Sequence, residues 1–243
     1  MNDLPSWVPD FSSPIPDPCG KSQKSKLFST SGSRGVFCLS TNLTHPVRLS
    51  LAGRRIDTIK QTGTHWAPGL SFYFNYVVAK QLFSDVEKFC NESQESSSSS
   101  SLDAESAEEA KWRISCFDQI FTTQRKRTLP NAIEGYRELR HAVDMYPDLG
   151  EELHSQECRA YMMAMQYLHN RKPFISSEGY VGLVPAHSMP GDIVCIIFGA
   201  IVPFVLRDVG KGEYQLIGEA YVFGIMDGEF VEGDPREEML CLC

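Results

Sequence analysis

The chain has 243 residues, is 42% hydrophobic and 22% charged, and carries 23 basic against 31 acidic side chains for a formal net charge of -8. That composition suits a core-forming chain of one or two domains rather than a disordered polyampholyte, and its acidity argues against nonspecific nucleic-acid binding. No run approaches the roughly 18 apolar residues of a membrane helix, so a spanning helix is excluded.

Residues 1–27 read as an extended arm. Pro5, Pro9, Pro14, Pro16 and Pro18 forbid a helix there. Trp7, Val8 and Phe11 would each gain about 1.5–3 kcal/mol on burial, so the arm is expected to lie against the body. The opening has neither the charged segment nor the apolar run of a secretory signal. The eight cysteines, Cys19, Cys38, Cys90, Cys116, Cys158, Cys195, Cys241 and Cys243, are scattered and form no CxxC pair. Free thiols in a reducing compartment follow, with cytoplasmic residence expected and the nucleus as the alternative.

A single α+β domain is expected over 28–232. Strands fill 35–60: Val36–Leu39 is an apolar run, and Val47, Leu49 and Leu51 alternate with Arg48 and Ser50. Ala52-Gly53 reads as a turn into a return strand over 54–59, making a hairpin. The region 72–170 is helical. Val78, Leu82, Val86 and Phe89 mark one face from Asn75 to Cys90. The segment 92–106, with consecutive serines from Ser96 to Ser101, is expected to be a disordered loop. Periodicity returns from Ala107 through Ile114, Phe117 and Phe121. It recurs over Ile133, Tyr136, Leu139 and Val143, then from near Gly150 over Cys158, Tyr161, Met162, Met165 and Leu168. Between 174 and 230 the period switches back to short strands punctuated by glycine. Residues 233–243 read as a tail.

The search for chemistry is mostly negative. No GxSxG elbow, P-loop or HExxH is present, and no cofactor signature is found. His154 and Cys158 stand four apart on an expected helix and could share a metal, although no further ligand is evident. Glu219 with Asp227 would form a carboxylate pair only if the fold brought them together; Asp192, Asp208 and Glu229 read as turn-capping acids. Cys241-Leu242-Cys243 reads as a frayed terminus with incidental thiols and lacks prenylation geometry. Arg125-Lys126-Arg127 and the stretch Lys21 to Lys26 are basic clusters beside expected loops, either phosphate contacts or simply solvated.

Phe174 to Leu183, Pro190 to Cys195, Val202 to Arg207 and Tyr214 to Glu229, in that order, resemble the C-terminal region of fungal heterokaryon-incompatibility proteins, the HET-domain family. Pro5 to Phe11 resembles the segment following the HET domain, where a second Trp often stands at the position of Phe11. Gly53 to Ile59 resembles a family hairpin of the form RG-x-x-x-DTI, and Phe223 stands where the family commonly has His. The N-terminal HET domain, which in the family carries the death-triggering activity, is not found in this chain. The resemblance implies a truncated member, a gene-model fragment or a stand-alone relative, and it supplies no catalytic, cofactor or metal residue to carry over.

The fold expected is α+β: a small bent antiparallel sheet or barrel from N- and C-terminal strands, with three to four helices packed alongside. The function expected is a non-catalytic regulatory or scaffold module in fungal nonself recognition and programmed cell death. Its partner would be a HET domain, in cis or in trans, or a second copy of the chain, with no membrane involved. The alternatives are a hydrolase-like or ligand-binding domain with a carboxylate or Cys/His site, and a non-functional fragment.

Overall fold

The computed structural model describes residues 5–8, 26–42, 48–66, 74–96, 98, 100–121, 125–145, 154–233 and 236–243. Its spine is a single long strand, β2 (Arg48–Thr62). The first residues of β2 pair with β1 (Cys38–Asn42) and, from Leu49 to Gly53, with β11 (Glu238–Leu242). Further along, Gly53 to Thr58 pair with β7 (Ile193–Ile197), and Ile59 to Thr62 pair with β5 (Arg171–Ser176). β7 continues to β8 (Phe204–Gly210) and β8 to β9 (Glu213–Glu219), which runs parallel to β11. The circuit β2–β11–β9–β8–β7–β2 therefore closes into a ring of five strands, antiparallel except between β9 and β11.

The expected hairpin at Ala52-Gly53 is not formed, because β2 runs straight through it. A Cβ on Gly53 would stand 2.5 Å from the Ile196 carbonyl oxygen and 2.7 Å from Leu240 Cδ1. Glycine is needed here for close strand approach and not for reversal. Register shifts between Arg55 and Asp57 and between Ile59 and Gln61 bend the strand, so one strand serves two parts of the sheet.

Each ring strand contributes to one apolar cluster: Leu49 and Leu51 from β2, Cys195 and Ile197 from β7, Leu206 from β8, Tyr214 and Leu216 from β9, and Leu240 and Leu242 from β11. Trp7 packs against it. The Ser6 N–H donates to the Cys243 carbonyl at 3.0 Å, and the Ser6 hydroxyl accepts the Leu216 N–H at 2.9 Å. Phe11 lies outside the described residues. The tail expected over 233–243 is corrected in its last part: Glu238–Leu242 is a ring strand that buries Leu240 and Leu242.

β5, β6 (Val181–Pro185) and β10 (Tyr221–Val222) extend the sheet from β2. Phe174, Val184 and Val222 pack inward with Val194 and Val205 of the ring. Their strand neighbours Ile175, Val181, Leu183 and Tyr221 pack outward into the largest cluster, with the helices. Burial on both faces explains why these strands read as continuous apolar runs.

α1 (Tyr76–Glu95) starts where the Asn75 side chain accepts the Val78 N–H at 3.1 Å. It buries Leu82, Val86 and Phe89, together with Ala79 and Phe83. The helix continues into the serine segment, and α2 (Ala104–Ile114) begins inside it, capped by Asp103. Buried Ser93 donates to the Gly179 carbonyl at 2.6 Å and Ser98 to the Glu178 carboxylate at 2.7 Å. Ser93 and Ser98 thus bond the β5–β6 turn, and the disordered loop expected over 92–106 is corrected where residues are described: α1 runs to Glu95, α2 starts at Ala104, and 97 and 99 lie outside the described residues. α2 stops at Ile114 rather than carrying Phe117 and Phe121, because Phe117 and Asp118 turn the chain with φ of 59° and 48°. β3 (Gln119–Phe121) and β4 (Arg125–Arg127) form a small hairpin. α3 (Ala132–Met145) and α4 (Gln156–Met165) complete the helices, α4 capped by Ser155; Gly150 lies outside the described residues. The fold is α+β, a ring and sheet built from both ends of the chain with four helices alongside among the described residues. No helix among those residues is long and apolar enough to cross a membrane.

Candidate functional site

Among the described residues of the helical half are two polar clusters with fully buried members. The first is centred on Asp118, whose side chain is fully buried. A left-handed pair without glycine is an unfavourable way to leave a helix, more so for bulky Phe117 than for Asp118. The bonds that Asp118 makes explain its persistence. Its carboxylate accepts Arg113 Nη1 at 2.5 Å, Arg127 Nε at 2.6 Å and the Thr128 hydroxyl. Arg127 reaches on to Asp227 with two contacts of 3.0 Å, and its guanidinium lies 4.5 Å from the centre of the Phe28 ring. Burial works to lower the Arg113 and Arg127 pKa values, but the carboxylates beside them raise both. These bonds run from α2 through the β3–β4 hairpin to the loop carrying Asp227, so this cluster is a tie between them.

The second cluster joins α3, α4 and the start of α1. His154 is buried, its Nε2 lies 2.9 Å from the Tyr76 hydroxyl and its Nδ1 lies 3.1 Å from Glu138 Oε1. Glu138 Oε1 also accepts the Ser155 N–H at 3.0 Å. Burial would raise the Glu138 pKa, but bonds from Ser155 and His154 lower it. One turn into α4 stands buried Cys158, whose thiol is pushed up to about 12 by burial and by the Glu138 carboxylate. The sequence pairs His154 with Cys158 by helical spacing; Glu138 is invisible to it, because the third residue comes from a different helix.

The other sequence candidates are dispersed. Glu219 faces Arg171, at 3.8 Å between carboxylate and guanidinium, whereas Asp227 is held by Arg127. Each acid serves its own arginine. Asp192 binds Arg207 through two 2.8 Å contacts, Asp208 accepts the Gly210 N–H, and Glu229 accepts the Asp227 N–H. Arg125 and Arg127 are not simply solvated: Arg125 donates to Gln119 at 2.8 Å and stacks over Tyr167, and Arg127 belongs to the Asp118 cluster. Lys26 is exposed, and 21–25 lie outside the described residues. Cys241 lies in β11, and the Cys243 thiol is raised by burial and by Glu213. Phe223 packs at the rim of the helical cluster. Burial also pushes Cys90 and Cys116 up to about 12 and Cys195 higher still. Such thiols are inert packing groups in the resting protein.

Residues 148–242 match the Het-6 beta-barrel domain, a stretch that takes in α4 and every strand from β5 to β11. The chain is also 28% identical over 284 aligned positions to "Heterokaryon incompatibility protein 6, OR allele" of Neurospora crassa. That similarity covers 97% of this chain and 39% of the relative, so the chain spans well under half the relative's length. No solved structure matches.

Proposed function

We propose that this chain is a non-catalytic regulatory or scaffold module of the fungal heterokaryon-incompatibility kind that acts in nonself recognition through protein contacts, a reading supported by the Het-6 beta-barrel match and the likeness to a heterokaryon incompatibility protein. The observation that carries the reading is how the reactive groups are spent. The acids flagged in the sequence are bound to arginines or cap turns, and the thiols of Cys90, Cys116, Cys158 and Cys195 are buried and protonated. The molecule invests in shape, and shape serves recognition.

The surface offers a place for contact. Val36 is 71% exposed and Phe37 53% exposed, immediately before β1, which pairs only with β2 among the described strands. An apolar pair beside an open strand edge is the kind of surface to which another chain adds. On this reading the partner is a HET domain, in cis or in trans, the site of action is the cytoplasm, and the outcome is the family's programmed cell death.

The test is association in trans. Mixing the full chain with a separately produced HET domain and measuring mass by light scattering should show a complex. Val36→Glu with Phe37→Glu should weaken it at least about tenfold, because a charge would then be desolvated at the contact, without lowering the melting temperature. A mixture that scatters as two independent species would overturn the proposal.

A further inference from the structure

The cluster of Glu138, His154 and Cys158 carries more than a helix cap requires. Glu138 alone satisfies the Ser155 N–H, and Ser155 itself caps α4 by accepting the Cys158 N–H at 3.0 Å. Neither bond calls for a buried histidine and a buried thiol beside the same carboxylate. One nitrogen of His154, the thiol sulfur and one carboxylate oxygen lie within 4.8 Å of one another. The geometry points to a divalent transition-metal site, best suited to zinc, that staples α3 to α4.

The donor set fits zinc. One thiolate, one imidazole and one carboxylate form the mixed nitrogen, sulfur and oxygen environment that zinc accepts. Ligand bonds of 2.0–2.3 Å place tetrahedral ligand atoms roughly 3.3–3.8 Å apart, so shifts of about an ångström would seat the ion. The metal belongs on Nδ1, the nitrogen that faces Glu138. Nε2 then keeps its proton and donates to the Tyr76 hydroxyl, the kind of outer bond that fixes a ligating ring. The Tyr76 and His154 rings already stack at 24°.

The charges balance. Zinc binds the glutamate carboxylate, neutral histidine and the cysteine thiol; the S–H bond breaks, a Zn–S bond forms, and one proton leaves to solvent. The imidazole carries one proton in the loaded site, on Nε2, with no net change on the ring. Two negative ligands cancel the ion's charge, so the loaded cluster is neutral and suited to burial. The cleft lined by Asn131, Glu134, Arg137, Ser155 and Glu157 meets Glu138 from the surface.

The experiment uses the full chain with Cys241→Ser and Cys243→Ser, which removes the tail thiols as competing ligands. After chelation and dialysis, zinc titrated against a chromophoric chelator should bind at one equivalent and release one proton per ion. Cobalt in its place should give a sulfur-to-cobalt charge-transfer band. That band should vanish in Cys158→Ser, and Tyr76→Phe should weaken zinc about tenfold. Glu138→Gln retains an oxygen for the Ser155 N–H and so protects the fold; it should weaken zinc at least about tenfold. Failure to bind an equivalent of zinc, a cobalt–sulfur band that survives Cys158→Ser, or unchanged affinity in Glu138→Gln would each overturn the assignment.

Discussion

A single carboxylate, that of Asp118, decides how the helical half is tied together. Its removal would leave Arg113 and Arg127 partly desolvated with one fewer anion. Breaking a buried pair in this way costs about 3–5 kcal/mol, and the lower end applies here because the Arg127 side chain keeps 33% of its area exposed. Asp118→Ala should therefore lose about 3 kcal/mol in urea unfolding, and an unchanged midpoint would show the cluster to be ornamental. At the start of α2, Asp103 has its pKa lowered by the Ser106 N–H it accepts at 2.7 Å. A depressed folded value stabilises above the unfolded value of 3.8 and is lost as pH falls through the folded value. Asp103→Ala should lower the melting temperature at pH 7 and do so less in strong acid, where the charge is gone, whereas Asp103→Asn should retain most of the cap. These sites were unevenly legible. His154 and Cys158 can be paired by their spacing, but Asp118 follows a helix the pattern extends too far. Nothing local announces that Phe117 leaves the helix with positive φ.

At the scale of elements, the apolar face of α1 and the strands after Pro173 can be read because burial there is periodic or continuous. β2 and β11 cannot. A glycine needed for close approach looks in sequence like a glycine needed for a turn, so Gly53 divides on paper a strand the molecule keeps whole. β11 is short, carries Glu238 and Cys241, and finds its partner in β2, nearly the whole chain away in sequence; no local pattern reports such a pairing. Both misreadings yield predictions. Gly53→Ala should destabilise by about 1–3 kcal/mol through overpacking against Ile196 and Leu240. Truncation before Glu238 should abolish the cooperative melt, since it opens the ring and bares the cluster that Leu240 and Leu242 fill.

For the whole molecule, three layers share one logic. The ring is filled by side chains from its own strands, the β5–β6–β10 extension is buried on both faces, and the helices cover its outer side. Layers that share strands cannot unfold separately without exposing both clusters, which is why one chain with ends far apart in sequence makes one body. The resemblance read in the last third agrees with the Het-6 beta-barrel match over residues 148–242, because the glycine and proline positions there record where strands must turn. It could not supply the closure, which depends on β2 meeting the last strand, β11.

Native-state hydrogen exchange read residue by residue tests that closure most directly. The amides of Leu240, Cys241 and Leu242 should exchange as slowly as those in the middle of β2, all limited by global unfolding. If they exchange at the rate of an unstructured tail while β7 and β8 stay protected, the ring is not closed and the account of the fold fails.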